Sequence, residues 1–529
     1  MPSPSQRPNV ILILVDDMGW SDLGCFGSEI PTPHLDRLAA RGVRGTGFTN
    51  SARCCPTRAC LLTGLHPHQA GIGNMTRDSG QPAYRGFLRP DTATIAETLR
   101  AAGYATWMSG KWHAGGDYAV DRRSQWAHAG DASHPLPTQR GFDRYYGTLC
   151  GAGSYFNPPC LMDQDRFVDG VGPDYHLTDE LGARAAGFIA EADRAGRPFF
   201  GYLAFTAPHW PLHGLPADIA ANRRYADGWD AVRERRWARQ AELGIREPSW
   251  SLSPRDEQSR PWSEAPDQAW ESERMAVYAA QVMAMDRAVG RVMAELETRG
   301  LTDNTLITFC SDNGGCAEFL REDGPSGKWP EHYSLPTNRG TMAKVGNRRS
   351  VMPGPAETFM SYDLPWANAS NTPFRKFKAW THEGGCATPL IACWPAGGVA
   401  GGRIVRGFGH VIDLAATVCA ATGAAPLHER EGLAVQAPEG RSQLPVWRHE
   451  RPEVWDDATF CWEHIGHAAA RRGSWKIVRA TDEQPWELYD LSADRCELRD
   501  LAATRPDLTA RLAADWDAWA ARVGVYPRG

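Results

Sequence analysis

The sequence predicts an α/β fold: a layered domain built on a large mixed, mostly parallel sheet, followed by a smaller C-terminal α+β subdomain with a short antiparallel sheet. Three observations predict it. Residues 10–15 are a continuous apolar run rich in β-branched side chains, the pattern of a strand covered on both faces. The order strand, helix, strand, helix then repeats along the chain. Four separate strand candidates end in polar residues, where ligands bind in sheets of this kind.

The elements follow in order. The strand at 10–15 delivers Asp16 and Asp17 at its C-terminal end. Residues 35–41 read as a short amphipathic helix closed by Gly42, and 92–102 as a clearer one closed by Gly103. Residues 104–109 read as a strand ending at Gly110-Lys111-Trp112-His113. A helix at 181–195 precedes a strand at 198–205, which ends at Ala207-Pro208-His209. A long helix at 275–299, closed by Gly300, leads to a strand at 304–310 that ends at Ser311-Asp312-Asn313. Residues 212–274 are rich in Trp, Arg, Glu and Pro and interrupt this pattern. With one helix around 228–244, they are expected to form a surface insertion rimming the pocket. The loop-like stretch 320–370 is a second expected pocket wall. The catalytic domain is placed at 1–425. Residues 426–529 form the subdomain, with strands at Trp475–Arg479 and 486–491 and a helix over Pro506–Val523.

The 529 residues suffice for one large domain and a smaller one. Hydrophobic residues make up 42%, enough for a sizeable core. The net charge of -6 is modest, and no Lys/Arg run points to nucleic acid or a membrane surface. The apolar run at 10–15 is too short to span a bilayer. The preceding MPSPSQRPN lacks the basic and apolar regions of a secretory leader, so a cytoplasmic protein is expected. Thirteen scattered cysteines show no paired metal spacing, and adjacent Cys54 and Cys55 suit no zinc pattern. Reduced thiols are expected.

Adjacent carboxylates such as Asp16 and Asp17 repel unless a cation lies between them; alone, the pair reads equally well as a cap. Asp312 and Asn313 add oxygens at a second strand end, and alone they read as a turn. Together the four form an oxygen set that favours Ca²⁺ or Mg²⁺ over zinc. In CCPTRACLLTG at 54–64, Pro56 suits the first turn of a helix, whose amides favour an anion. Cys54 alone reads as a buried thiol. Lys111, His113, His209 and Lys378 are unremarked singly, but at converging strand ends they gather donors around an anion.

These motifs together resemble the type I, formylglycine-dependent sulfatases, arylsulfatase-like members above all. The resemblance rests on C-x-P-T-R followed by L-x-T-G, on Asp16-Asp17 before it and on S-D-N-G after it. It continues through Gly110-Lys111-Trp112-His113, Ala207-Pro208-His209, and Phe374-Arg375 with Lys378 and Glu383-Gly384-Gly385. It covers residues 8–395, with a weaker echo at 487–491. It implies an alkaline-phosphatase-like α/β/α domain that hydrolyses sulfate monoesters, aryl sulfates or related. It implies that a formylglycine-generating enzyme converts Cys54 to 3-oxoalanine. One Ca²⁺, or Mg²⁺, would be held by Asp16, Asp17, Asp312, Asn313 and an oxygen of the converted Cys54. One hydroxyl of the hydrated aldehyde would attack sulfur, and loss of the other's proton would expel sulfate.

By the same resemblance Arg58 holds the converted residue, and Lys111 neutralises sulfate oxygens. His113 is the base of the elimination, and His209 with Lys378 is the acid toward the leaving oxygen. Thr57 replaces a commoner serine, and Cys55 and Cys60 receive no role. A phosphonate monoester or phosphodiester hydrolase of the same superfamily is the second reading, disfavoured by Asn313, Lys111 and His113. A non-catalytic anion-binding protein is the third, if Cys54 stays a thiol. Trp112, Trp210 and Trp380 are expected to pack in the core; one of them facing the pocket would favour aryl sulfates.

Overall fold

A computed structural model describes residues 7–120, 123–322 and 333–525. The main sheet has ten strands. Across it run Arg403–Val405, Val43–Gly45, Leu390–Cys393, Thr305–Ser311, Asn9–Val15, Phe199–Ala204, Ala105–Gly110, Arg144–Thr148, Leu161–Asp163 and Arg166–Phe167. The central pairings are parallel, with Asn9–Val15 between Phe199–Ala204 and Thr305–Ser311. Antiparallel pairs enter where Leu390–Cys393 joins Thr305–Ser311 and at the edge hairpins. The sheet is thus mixed and mostly parallel.

The central strand explains the layering. Its side chains alternate between faces, as the pleat requires. Ile11, Ile13 and Val15 join one core, with residues of the helices Pro33–Arg41, Leu177–Arg194 and Gln268–Thr298. Val10, Leu12 and Leu14 join the other, with residues of Cys54–Thr63, Ile95–Ala101 and Asp413–Thr422. Both faces are covered, so the strand reads as one unbroken apolar run. Each such side chain taken from water contributes about 1.5–3 kcal/mol.

In the C-terminal region four antiparallel strands, Phe460–His464, His467–Arg472, Trp475–Arg479 and Glu487–Asp490, form a second sheet. The helix Pro506–Val523 packs on one face through Leu512 and Trp516. The other face joins the main core through Phe460, Trp462, Val478 and Tyr489. The first two of these strands carry no clean alternation in the sequence, and only the last two were expected from it.

Residues 212–274 depart from expectation. They hold the helices Pro216–Ala221 and Gly228–Glu242 and the start of Gln268–Thr298, and none of them lines the main cavity. They pack behind the site instead. Arg236, fully buried, bonds Asp22 at 2.6 Å and Glu29 at 3.0 Å. Its aliphatic stem and paired charge explain how Arg236 itself is buried in a stretch that otherwise stays largely exposed or half-buried.

Candidate active site

Four adjacent parallel strands, Thr305–Ser311, Asn9–Val15, Phe199–Ala204 and Ala105–Gly110, end along one edge of the sheet. The ladder continues just past them. Asp312 N donates to Val15 O at 3.0 Å, Asp16 N to Ala207 O at 3.2 Å and Lys111 N to Ala204 O at 2.7 Å. Residues distant in sequence are thereby held side by side. Asp17 and His113 both adopt left-handed backbone, with φ of 63° and 47°. Non-glycine residues are uncommon there, and such strain gathers at functional sites.

Asp16, Asp17, Asp312 and Asn313 are all buried and meet at this edge. Asn313 Nδ2 donates to Asp17 Oδ1 at 2.7 Å and to Gly314 O at 2.8 Å. Lys378 Nζ reaches Asp17 Oδ2 at 2.9 Å and lies 3.3 Å from His209 Nε2. Lys111 Nζ hydrogen-bonds Asp16. Arg58 donates through Nη2 to Asp312 Oδ2 at 2.7 Å and through Nη1 to Lys111 O at 2.9 Å. Burial pushes the Asp312 carboxyl well up, with Asp16 adding to it against Arg58. Asp16 is held down: burial opposes its charge, but Lys111, His209 and Arg58 outweigh it.

Cys54 opens the helix Cys54–Thr63. Thr57 fixes its start, accepting from Ser51 N at 3.0 Å and donating to Asp312 O at 2.6 Å. The threonine that replaces a serine therefore ties the helix to the strand end carrying Asp312. A hydrogen bond from Cys55 lowers the Cys54 thiol well below its usual range, and Lys111 and His113 help against burial. Burial depresses His113 and His209, so both imidazoles are neutral at neutral pH. His209 Nδ1 faces Trp210 O at 2.6 Å. Since a carbonyl only accepts, the proton is assigned to Nδ1, and Nε2 is left to accept from Lys378. Lys378 stays charged despite burial because the carboxylates of Asp17 and Glu318 offset it.

The donor set suits a hard cation. Asp16 Oδ1 and Asn313 Oδ1 are buried without a hydrogen-bond partner among the described residues. An orphaned buried oxygen is costly unless something else satisfies it. Carboxylate and amide oxygens match Ca²⁺ or Mg²⁺ rather than softer metals.

Beside these groups opens a cavity of about 580 Å³. Cys54, His113, His209 and Lys378 line it, with Met75, Tyr118, Val120, Trp210, Phe319, Leu320 and Tyr333. Of the three tryptophans, Trp210 faces the cavity. Trp112 packs edge-on to Phe142 in the core, and Trp380 stacks on His467. Arg375 also points elsewhere, to Tyr489 Oη at 3.2 Å.

Three residues of the site carried no signal in the sequence. Glu318 bonds Arg53 Nη1 and Trp210 Nε1, each at 2.9 Å, and so ties three loops together beside the cavity. Cys55 Sγ lies 3.2 Å from His113 Nε2. Gly151 backs the His113 ring: a Cβ there would fall 2.6 Å from Nε2.

The sulfatase family profile matches residues 8–424. The chain belongs to the sulfatase family. It is a sulfuric ester hydrolase. An uncharacterized sulfatase of Schizosaccharomyces pombe is 34% identical, covering 98% of this chain and 95% of that one. The arylsulfatase of Klebsiella aerogenes is also 34% identical, over 80% of this chain and 88% of that one. The solved structure of Ps i-CgsB matches 97% of this sulfatase and 93% of its own chain, with a TM-score of 0.66 and 25% identity. That protein has also been solved with k-i-k-neocarrahexaose. Phosphonate monoester hydrolase of Agrobacterium radiobacter shares the fold at a TM-score of 0.57 and 20% identity, covering 98% and 96% of the two chains.

Proposed function

We propose that this sulfatase hydrolyses sulfate esters of aryl or similarly apolar alcohols, with Cys54 converted to formylglycine by a formylglycine-generating enzyme. The observation that carries the substrate class is the cavity wall. Trp210, Tyr333, Phe319, Tyr118, Met75, Val120 and Leu320 offer apolar and aromatic surface next to Cys54. Such surface suits a flat ring, while Arg53, Thr76, Arg77, Asp117, Glu318 and Arg321, which also line the cavity, offer partners to polar groups of the alcohol. The arylsulfatase of Klebsiella aerogenes supports this reading.

Asp16, Asp17, Asp312 and Asn313 would hold Ca²⁺ or Mg²⁺, which supplies Lewis-acid charge beside the sulfate. Once converted, position 54 would supply an aldehyde hydrate, whose chemistry provides a nucleophilic hydroxyl together with a second one for release. The remaining work falls to side chains. Lys111 brings a fixed positive charge toward the sulfate oxygens. Neutral His113 accepts the proton released at position 54. Lys378, hydrogen-bonded to His209 Nε2, carries the proton for the leaving oxygen. His209 thus holds and shares this proton.

Two measurements test this. The mass of the peptide holding residue 54 reports conversion; an unmodified thiol in fully active enzyme would end that part of the proposal. Comparison of kcat/KM on a phenyl sulfate and on monosaccharide sulfates tests the substrate class. A clear preference for the sugars would overturn it.

A further inference from the structure

Cys55 has no part in sulfate cleavage, yet it is not placed as a simple core residue. Its Sγ lies 3.2 Å from His113 Nε2 and 3.9 Å from Met75 Sδ. The ligating atoms of Cys54, Cys55 and His113 all lie within 4.8 Å of one another, and all three residues are buried. His113 Nδ1 finds no hydrogen-bond partner among the described residues, so none of them commits the ring's proton on that side. The backbone of Gly151 fixes the ring in place. Cys54, Met75 and His113 line the cavity, which gives an entry path.

We infer that the chain, while residue 54 is still cysteine, binds a soft cation of the Zn²⁺ or Cu⁺ type through Cys54, Cys55 and His113, with Met75 as the neighbouring thioether. The ligand chemistry separates this site from the oxygen set of Asp16, Asp17, Asp312 and Asn313. Thiolate, imidazole and thioether select soft metals; carboxylate and amide oxygens select hard ones. Separations under 4.8 Å are compatible with ligands around one tetrahedral ion after small side-chain adjustments. Each thiol gives its proton to solvent as its sulfur–metal bond forms. Two thiolates then cancel the charge of Zn²⁺, so the buried complex is neutral and escapes the cost of an unpaired interior charge.

A consequence rests on the proposed conversion of Cys54. Removing its sulfur takes away one of two thiolates, so the soft-metal site and the mature nucleophile exclude each other. A converted chain therefore no longer competes for the metal.

The test uses the whole chain with residue 54 shown by mass to be cysteine, saturated with Ca²⁺ and titrated with Co²⁺. The expected result is a thiolate-to-cobalt charge-transfer absorption that saturates at one equivalent. In Cys55→Ser, close in size and able to keep a hydrogen bond to His113, it falls by about half or more. In His113→Ala the binding weakens. Melting curves of each variant separate ligand loss from misfolding. No charge-transfer band, or an equal band in Cys55→Ser, overturns the site. An undiminished band in chains whose residue 54 is shown to be converted overturns the exclusion while leaving the conversion itself untouched.

Discussion

Asn313 turns its amide nitrogen toward Asp17 Oδ1 at 2.7 Å, and its own Oδ1 is left buried without a partner among the described residues. The amide does two things at once that a fourth carboxylate, with no N–H to donate, could not. It neutralises part of the repulsion at Asp17 by donating, and it keeps one oxygen free for a cation. Asn313→Ala should therefore weaken Ca²⁺ or Mg²⁺ binding by roughly 10–100-fold, the loss typical of disturbing a metal site's support. Calorimetric titration of metal-stripped protein checks the affinity. Excess metal should restore part of the activity, and an unchanged affinity would remove Asn313 from the cation site.

Cys54→Ser should abolish turnover with multiple cycles of substrate while leaving the melting temperature nearly unchanged. A serine hydroxyl can attack but has no second hydroxyl to expel sulfate. Rapid-quench assays should show at most a single stoichiometric release of alcohol. Steady turnover near the wild-type rate would mean that residue 54 does not act as an aldehyde.

Gly151→Ala should lower kcat with little effect on overall stability. A Cβ at this position would stand 2.6 Å from two atoms of the His113 ring, closer than carbon atoms are found in proteins. The ring must move or the loop must shift. A 1 Å displacement of a reacting group can cost on the order of 100-fold in rate. Steady-state kinetics on an aryl sulfate checks this, with a melting curve as the control.

Much of this architecture was readable from the residues because several patterns agreed. The run at 10–15 announced a strand covered on both faces, and the polar residues at four strand ends announced a site. Their separation in sequence hid only which ends were adjacent; the ladder supplied that. What stayed hidden depended on long-range packing. Residues 212–274 were expected to rim the pocket; that Arg236 ties them elsewhere was hidden, because its partners Asp22 and Glu29 lie far away in the chain. The strands Phe460–His464 and His467–Arg472 were missed because both their faces are covered in places, which blurs the alternation. Cys55 and Gly151 gave no signal because their meaning lies in one contact each with His113.

The Lys378–His209 pair should show itself through the leaving group. Phenolate departs readily, whereas an alkyl or sugar alkoxide needs its proton during bond cleavage. Lys378→Met should therefore slow alkyl sulfates by about 100-fold or more, the usual contribution of a positioned acid, and nitrophenyl sulfates much less. A plot of log kcat against the pKa of the leaving alcohol should steepen in the variant. Equal losses on every substrate would instead assign Lys378 a binding role.

The last prediction concerns the joint between the subdomain and the site. Glu383 and Glu497 are fully buried, and Lys476 Nζ bridges them at 2.8 Å each. Arg495 Nε adds a second bond to Glu383 at 2.8 Å. Glu383 N is held in turn by Glu497 at 2.9 Å, and Gly384 N by Arg375 O at 2.9 Å, so the network anchors the loop that carries Lys378. Burial would raise the Glu383 carboxyl, but Lys476 and Arg495 outweigh it and bring it down to about 2, from 4.5. The folded value lies below the unfolded one, so the ionised form stabilises the fold. That stabilisation is complete above about pH 4.5 and is lost as pH falls toward 2, on the order of 3 kcal/mol in all. Lys476→Met leaves both carboxylates without their shared cation and should cost about 3–5 kcal/mol at neutral pH. The Glu383 carboxyl should titrate higher, so acid unfolding should begin at a higher pH than in the wild type. Urea melts across pH 3–7 measure both effects. Parallel curves for variant and wild type over that range would show that the network does not govern acid stability.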